Sequence, residues 1–423
     1  MITIRLVVKF GGTSIQDSER IEKAVQSVIK KIKEGNEILV VVSAMGDTTD
    51  HLISLFEGVT KSDYEKKDYA EFVSFGERMS AQLVSTSFKT KGFKAYPLDP
   101  SRKDFPIITN SSENLLEAEI LSEKSKEQCQ SYVEPLFRGG IIPVVCGFLG
   151  RSEIDGSITC LGRGGSDITA FALGNFIHAD EVIIVTDASG VASADPRLIK
   201  KVETLPKISV EEMGILAEGG AQVLHPRALY FKEGQMKARI IHFQSGDLDS
   251  AGTEIEGSFS SRIDVFQEKL CLMTVIGEQI LETSGLLKDI ITPLARHKIS
   301  IQGITTGRQY IGIYLLEKNS KKAYDLVHPI VLKNAYLKSV TIKTNIALIV
   351  LSSRNFIETP GIIEKITRPL AENRINILEM TTIKTDILIF VTWQNKDISY
   401  QLIKNSLDTL VLSNEERSSI KKK

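Results

Sequence analysis

The apolar positions of this chain fall into two regimes. Up to about residue 245, short unbroken apolar runs alternate with helical periodicity. Leu6-Val7-Val8-Lys9-Phe10 is such a run, stopped by Gly11-Gly12, and predicts a buried strand. Ile21, Ala24, Val25, Val28, Ile29 and Ile32 then recur with the spacing of one helix face. Asp17 or Ser18 can cap that helix, Lys30, Lys31 and Lys33 suit its negative end, and Gly35 can supply a left-handed stop. The strand signal returns at Ile38 to Val42, Ile141 to Val145 and Val182 to Val185. Strands apolar on both faces and separated by helices predict an α/β fold with a mainly parallel central sheet sandwiched by helices. Ligands of such sheets sit at the C-terminal strand ends. Small and polar residues gather there: Gly11-Gly12-Thr13-Ser14, Ser43-Ala44-Met45-Gly46, Gly147-Phe148 and Thr186-Asp187.

The second regime is a repeat. Residues 285–306 read GLLKDIITPLARHKISIQGITT, and residues 361–382 read GIIEKITRPLAENRINILEMTT, at a constant offset of 76 without a gap. The same offset pairs Leu270 to Val275 with Ile346 to Leu351. Each copy predicts a strand, a glycine-capped loop, a helix and two strands, and two copies side by side bury what each alone exposes. The Gly- and Ser-rich stretch Ser245 to Ser261 marks the junction between regimes. The charged end, from about Asn414 to Lys423, is expected to fray.

Length and charge narrow the function. A chain of 423 residues, 42% hydrophobic, has material for two or three domains. Lys and Arg total 52 against 53 Asp and Glu, a net charge of −1, so nothing electrostatic calls for nucleic acid or an anionic membrane. No apolar run approaches the ~20 residues of a membrane span. The N-terminus has no signal- or transit-peptide pattern. Cys129, Cys146, Cys160 and Cys271 lack CxxC spacing, which argues against zinc or a disulfide framework. The expectation is a reduced, cytoplasmic protein.

Five segments can carry chemistry. In Lys9-Phe10-Gly11-Gly12-Thr13-Ser14, adjacent glycines, a helix start and a lysine make an anion site suited to phosphate. The lysine and the Thr-Ser favour that over a plain tight turn. Leu161-Gly162-Arg163-Gly164-Gly165-Ser166-Asp167 offers a nest, a guanidinium able to clamp a carboxylate, and a carboxylate of its own. It reads equally as a capped helix with Arg163 exposed. Glu77, in Ser74-Phe75-Gly76-Glu77-Arg78-Met79-Ser80, reads on its own as half of a solvated surface pair. Thr186 and Asp187 could meet a purine or ribose and Arg197 a phosphate, or they are ordinary turn residues. His225, in Val223-Leu224-His225-Pro226, reads as structural. GxxxxGK[ST], a strand-led GxGxxG and GxSxG are all absent, and no histidine spacing suits a metal.

In this order the segments resemble the aspartokinases, within the amino-acid kinase family. KFGGTS, VVSAMGDTTD, SFGERMS, GFLG, LGRGGSD, VTD..G, DPR and VLHP all stand in register, and the repeat resembles paired ACT domains of βαββαβ, ferredoxin-like form. The resemblance implies a catalytic domain over 1–250, a first ACT domain over 265–340 and a second over 341–423, completed by a strand from 251–270. It implies transfer of the γ-phosphoryl group of Mg-ATP to the side-chain carboxylate of L-aspartate, towards lysine, threonine and methionine. Lys9 would stabilise the transferring phosphoryl group, with Gly11 and Gly12 as backbone donors and Asp167 orienting the lysine. Arg163 would grip the α-carboxylate of aspartate and Glu77 its α-ammonium, with Ser43, Thr49, Phe148 and Ser166 completing the pocket. Ser14, Thr186, Asp187, Arg197 and Gln222 would serve the nucleotide, and Mg²⁺ would be held mainly through the nucleotide.

Gly285, Leu286, Leu287, Ser300, Ile301 and Gln302 match an effector site for lysine or threonine, and a homodimer through the ACT pair is expected. The chain departs from the usual family pattern at Cys160 for threonine, Ala192 for tyrosine and Gln302 for a frequent aspartate, and Gln222 stands where some members have a phosphate-binding lysine and others Gln or Asn. A kinase for glutamate or acetylglutamate, and an inactive amino-acid sensor, are the alternatives. No protein-held metal is expected.

Overall fold

The computed structural model describes residues 3–61, 63–110, 115–220, 223–259, 262–353, 361–383 and 386–407. Gln222 and the Asn414 to Lys423 tail lie outside them. The chain divides into two compact units, Met1–Phe259 and Ser260–Lys423.

The apolar runs of the first unit form an eight-stranded sheet. Its spatial order is Ala95–Leu98, Ile142–Cys146, Glu37–Val42, Arg5–Phe10, Glu181–Thr186, Lys237–His242, Thr253–Glu256, Lys207–Ser209. The first six run parallel, and the Thr253–Glu256 strand reverses against Lys237–His242. Consecutive residues Val7 and Val8, Leu39 and Val40, and Val182 and Ile183 are all at or near zero exposure, so both sheet faces are covered. The helices Ser18–Lys33, Phe75–Thr90 and Gly165–Phe176 pack on this sheet. In Ser18–Lys33 the predicted face is buried and the Asp17 carboxylate caps the start, accepting from the Arg20 N–H at 2.9 Å. Gly35, at φ 92°, follows its end. Parallel strands bring Phe10, Val42, Cys146 and Thr186 to one edge of the sheet, and the loops that leave them build the site.

Two features of this unit go beyond the periodic signal. Ile108–Thr109, Leu149–Ser152 and Ile158–Cys160 form a small second sheet. One strand lies within the Gly/Ser-rich junction and one just beyond it: Thr253–Glu256 joins the first unit's sheet, while Arg262–Val265 pairs with residues 349–352 in the second unit's own sheet. The first unit therefore runs past residue 250.

In the second unit the repeat appears as two ferredoxin-like halves of one seven-stranded sheet. Helices Leu286–Arg296 and Ile362–Glu372 begin and end 76 residues apart, each behind a left-handed glycine, Gly285 at φ 91° and Gly361 at φ 80°. Leu286, Ile290 and Leu294 fill one core, and Ile362, Ile366 and Leu370 fill the equivalent core. The strand Leu337–Ser352 is shared. Its first part pairs with Leu270–Gly277, and its second part lies between Arg262–Val265 and Asp386–Thr392. The change of partner falls at Asn345, which takes φ 58°, a left-handed conformation asparagine tolerates. The Glu317 carboxylate accepts its N–H at 2.6 Å. Among the described residues no helix is long and apolar enough to cross a membrane.

Candidate active site

Lys9 is the penultimate residue of the Arg5–Phe10 strand, set between Val41 and Ile184 of its neighbours. Its Nζ lies 2.6 Å from Asp167 Oδ1, and both side chains are largely buried. Asp167 is in the first turn of Gly165–Phe176, where the helix dipole favours a negative charge. The loop after the strand turns tightly on Gly12, because a Cβ there would meet the Ala44 carbonyl oxygen at 2.6 Å. Gly12→Ala must push the lysine loop and the 43–46 loop apart. The expected result is a kcat reduced about 10²-fold by misplacement of Lys9, measured in steady state alongside Tm.

Glu77 sits in the first turn of Phe75–Thr90 and is 3% exposed. Gly76 lets the helix approach the 43–46 loop closely, since a Cβ on it would lie 2.8 Å from Ala44 Cβ. That approach lets Glu77 Oε1 accept the Ala44 N–H at 3.2 Å. Oε2 is buried and, among the described residues, has no hydrogen-bond partner. Burial pushes this carboxyl up to about 7, against two backbone hydrogen bonds that pull it down.

These groups face one cavity of about 800 Å³. Lys9, Ser43, Thr49, Glu77, Phe148, Arg163, Ser166 and Asp167 all line it. The sequence-expected pocket residues are therefore brought together. Asp50, Tyr69, Glu117 and Cys160 line it too. Cys160 is 1% exposed and its thiol is pushed up to about 12 by burial, which keeps it protonated and unreactive. Phe148 adopts φ 67°, a strained conformation for a residue with a bulky side chain. It packs so closely that a Cβ on Gly165 would touch its ring at 2.8 Å. Arg163 is exposed to the cavity. Among the described residues its guanidinium has no ion-pair partner.

The phosphate side differs from expectation. The Gly11 N–H is not offered to a ligand: it donates to the Val185 carbonyl at 3.0 Å. Ser14 is 2% exposed, and its hydroxyl donates to the same carbonyl at 3.1 Å. Both tie the lysine loop to the neighbouring strand and serve the site as structure. Thr186 ends the Glu181–Thr186 strand and donates its hydroxyl to Asp187 Oδ1 at 3.1 Å. Arg197 is exposed and forks onto Asp195. Thr186, Asp187 and Arg197 do not line the cavity. His225 caps a short helix, its Nδ1 accepting the Arg227 N–H at 3.4 Å, as the structural reading expects.

In the second unit, Leu286 is spent on the core and its side chain is not available to an effector. Leu287 is 36% exposed, Ser300 is exposed, and Ile301 and Gln302 are half-buried on the strand Ile301–Gly307.

Residues 5–242 match the model of the amino acid kinase family. The chain is 30% identical to aspartokinase 2 of Bacillus subtilis, over 89% of this chain and 91% of that protein. It is 32% identical to an aspartokinase of Bacillus sp. strain MGA3, over 89% and 90% respectively. A solved aspartate kinase from Synechocystis superposes with a TM-score of 0.73 at 25% identity, covering 95% of this chain and 69% of that one. With the matched segments running from the lysine loop to the repeat, the chain belongs to the aspartokinases of the amino acid kinase family.

Proposed function

We propose that the chain is an ATP-dependent aspartate kinase, forming 4-phospho-L-aspartate. The observation that carries this reading is the pairing, in one cavity, of an uncommitted guanidinium with a buried carboxylate that has one bare oxygen. Arg163 takes the α-carboxylate of aspartate and Glu77 Oε2 takes its α-ammonium, leaving the side-chain carboxylate directed at Lys9. A carboxylate is already nucleophilic at neutral pH, so no general base is needed. Catalysis then rests on positioning and charge neutralisation. An oxygen of the substrate carboxylate bonds to the γ-phosphorus. The bond to the β,γ-bridging oxygen breaks, and ADP leaves with that electron pair. Lys9, oriented by Asp167, meets the negative charge on the transferring group. Ser43, Thr49, Phe148 and Ser166 close the pocket. Gly12, Thr186, Asp187, Arg197 and Gln222 serve the nucleotide.

Among the described residues no three His, Cys, Asp or Glu side chains come together as a metal site. On this reading Mg²⁺ arrives on the nucleotide's phosphates, where it would neutralise their charge. The ACT pair is read as the seat of lysine or threonine inhibition, through Gly285, Leu287, Ser300, Ile301 and Gln302, and as the homodimer contact. An effector acts only by its difference in affinity for active and inactive arrangements.

Hydroxamate trapping with aspartate, glutamate, acetylglutamate and succinate tests the reaction. Turnover is expected with aspartate, with a loss of at least about 10²-fold for succinate, which lacks the ammonium that Glu77 reads. Turnover with glutamate or acetylglutamate in preference to aspartate would overturn the assignment. ATP-independent binding of lysine or threonine without any turnover would favour the sensor.

A further inference from the structure

The turn that carries Arg163 is held by a second segment to which no role above has been given. Arg163 stands between two left-handed glycines, Gly162 at φ 75° and Gly164 at φ 70°. A long side chain on so permissive a turn is aimed only if the backbone beneath it is fixed. Leu161, just before the turn, is fixed at both ends. Its N–H donates to the Phe148 carbonyl at 2.8 Å, and its carbonyl accepts from Arg227 Nη1 at 3.1 Å. His225 abuts the far side of the turn, because a Cβ on Gly164 would lie 2.1 Å from His225 Cβ. The His225-Pro226-Arg227 corner is itself anchored. It opens the short helix Pro226–Phe231, whose Ala228 and Leu229 are buried in the core of the first unit. Neither His225 nor Arg227 lines the cavity.

We propose that Arg227 is a positioning residue for the amino-acid substrate: by holding the Leu161 carbonyl it sets the direction of the Arg163 guanidinium, without touching substrate. The inference rests on the reading that Arg163 grips the α-carboxylate. A small rotation of the turn is magnified along the arginine side chain, and a misplacement of ~1 Å is enough to cost up to about 10²-fold.

The test is a kinetic cycle on the full chain with aspartate and ATP varied in turn. Arg227→Ala should raise KM for aspartate about 10-fold, with KM for ATP and kcat within about twofold of the parent. Arg227→Lys, whose ammonium can donate to the same carbonyl, should recover part of the loss. Arg163→Ala should raise KM for aspartate further, and adding Arg227→Ala to it should cost nothing more, because the second residue acts through the first. Additive effects in the double variant, an equal rise in both KM values, or an unchanged Arg227→Ala enzyme would each overturn the proposal. An unchanged KM in Arg163→Ala alone would instead overturn the substrate reading beneath it. If the alanine variant loses its fold, Arg227→Lys and Arg227→Gln carry the same measurement, with the same outcomes deciding.

Discussion

Lys9→Ala should lower kcat by about 10³-fold or more while leaving KM for aspartate nearly unchanged. Its ammonium meets charge that is greatest on the transferring phosphoryl group, and removing one such donor from a water-poor site typically costs that much. The variant also strands Asp167, whose side chain is only 13% exposed. A carboxylate left unpaired at such a place costs several kcal/mol, so loss of activity could be confused with loss of fold. The double variant Lys9→Ala/Asp167→Asn separates the two. It should regain most of the lost Tm, because the stranded charge is gone, and regain none of the kcat. Recovery of turnover in the double variant would show that the lysine was needed only to shelter Asp167.

Glu77→Gln should weaken the substrate and strengthen the fold at once. Losing the carboxylate that meets the ammonium should raise KM for aspartate about 10²-fold, in the range found when one partner of a buried charge pair is removed. The stability effect follows from the raised carboxyl, at about 7 in the fold against an ordinary 4.5. An acid whose native value is raised is costly to ionise in the native state. The cost is absent below the unfolded value, grows between pH 4.5 and 7, and is complete above 7, where it amounts to about 3 kcal/mol. Glutamine keeps the acceptor for the Ala44 N–H but adds an amide N–H without a partner, which returns part of the gain. Tm of Glu77→Gln should therefore exceed the parent at pH 8 and converge with it near pH 4.5. KM for aspartate in the parent should fall as pH rises through 7, and in the variant that dependence should vanish. A variant less stable than the parent at pH 8 would mean that Glu77 is ionised and satisfied without substrate.

Much of this was legible in the sequence, and the limits have physical causes. The parallel strands announce themselves because both faces are buried and no polar residue interrupts them. The repeat was visible because its offset carries no gap. Glu77 is hard to weigh because the first half of its helix turns small and polar residues inward and leaves its apolar stripe outside. Phe75, Met79 and Leu83 form an apolar stripe at helical spacing, yet all three are exposed, while Gly76, Glu77, Ser80 and Ala81 face the core. Small residues there permit a close approach that hydropathy cannot signal. The second sheet leaves no signal in the sequence, because strands of two to four residues carry no period. The tie between Arg227 and Leu161 spans 66 residues, and only the tertiary fold brings it together. The fate of the Gly11 N–H likewise depends on Val185, on a strand far along the chain.

The shared strand Leu337–Ser352 has a consequence for how the second unit melts. Its two halves belong to different repeats, but no linker separates them, so one continuous strand supplies the hydrogen-bonded ladders of both. The repeats are thus denied the independent unfolding open to beads on a string. Heating should take them through a single cooperative transition, and the amides of Ala347 to Ile349, paired in the interior of the ladder, should be among the last in that unit to exchange with solvent.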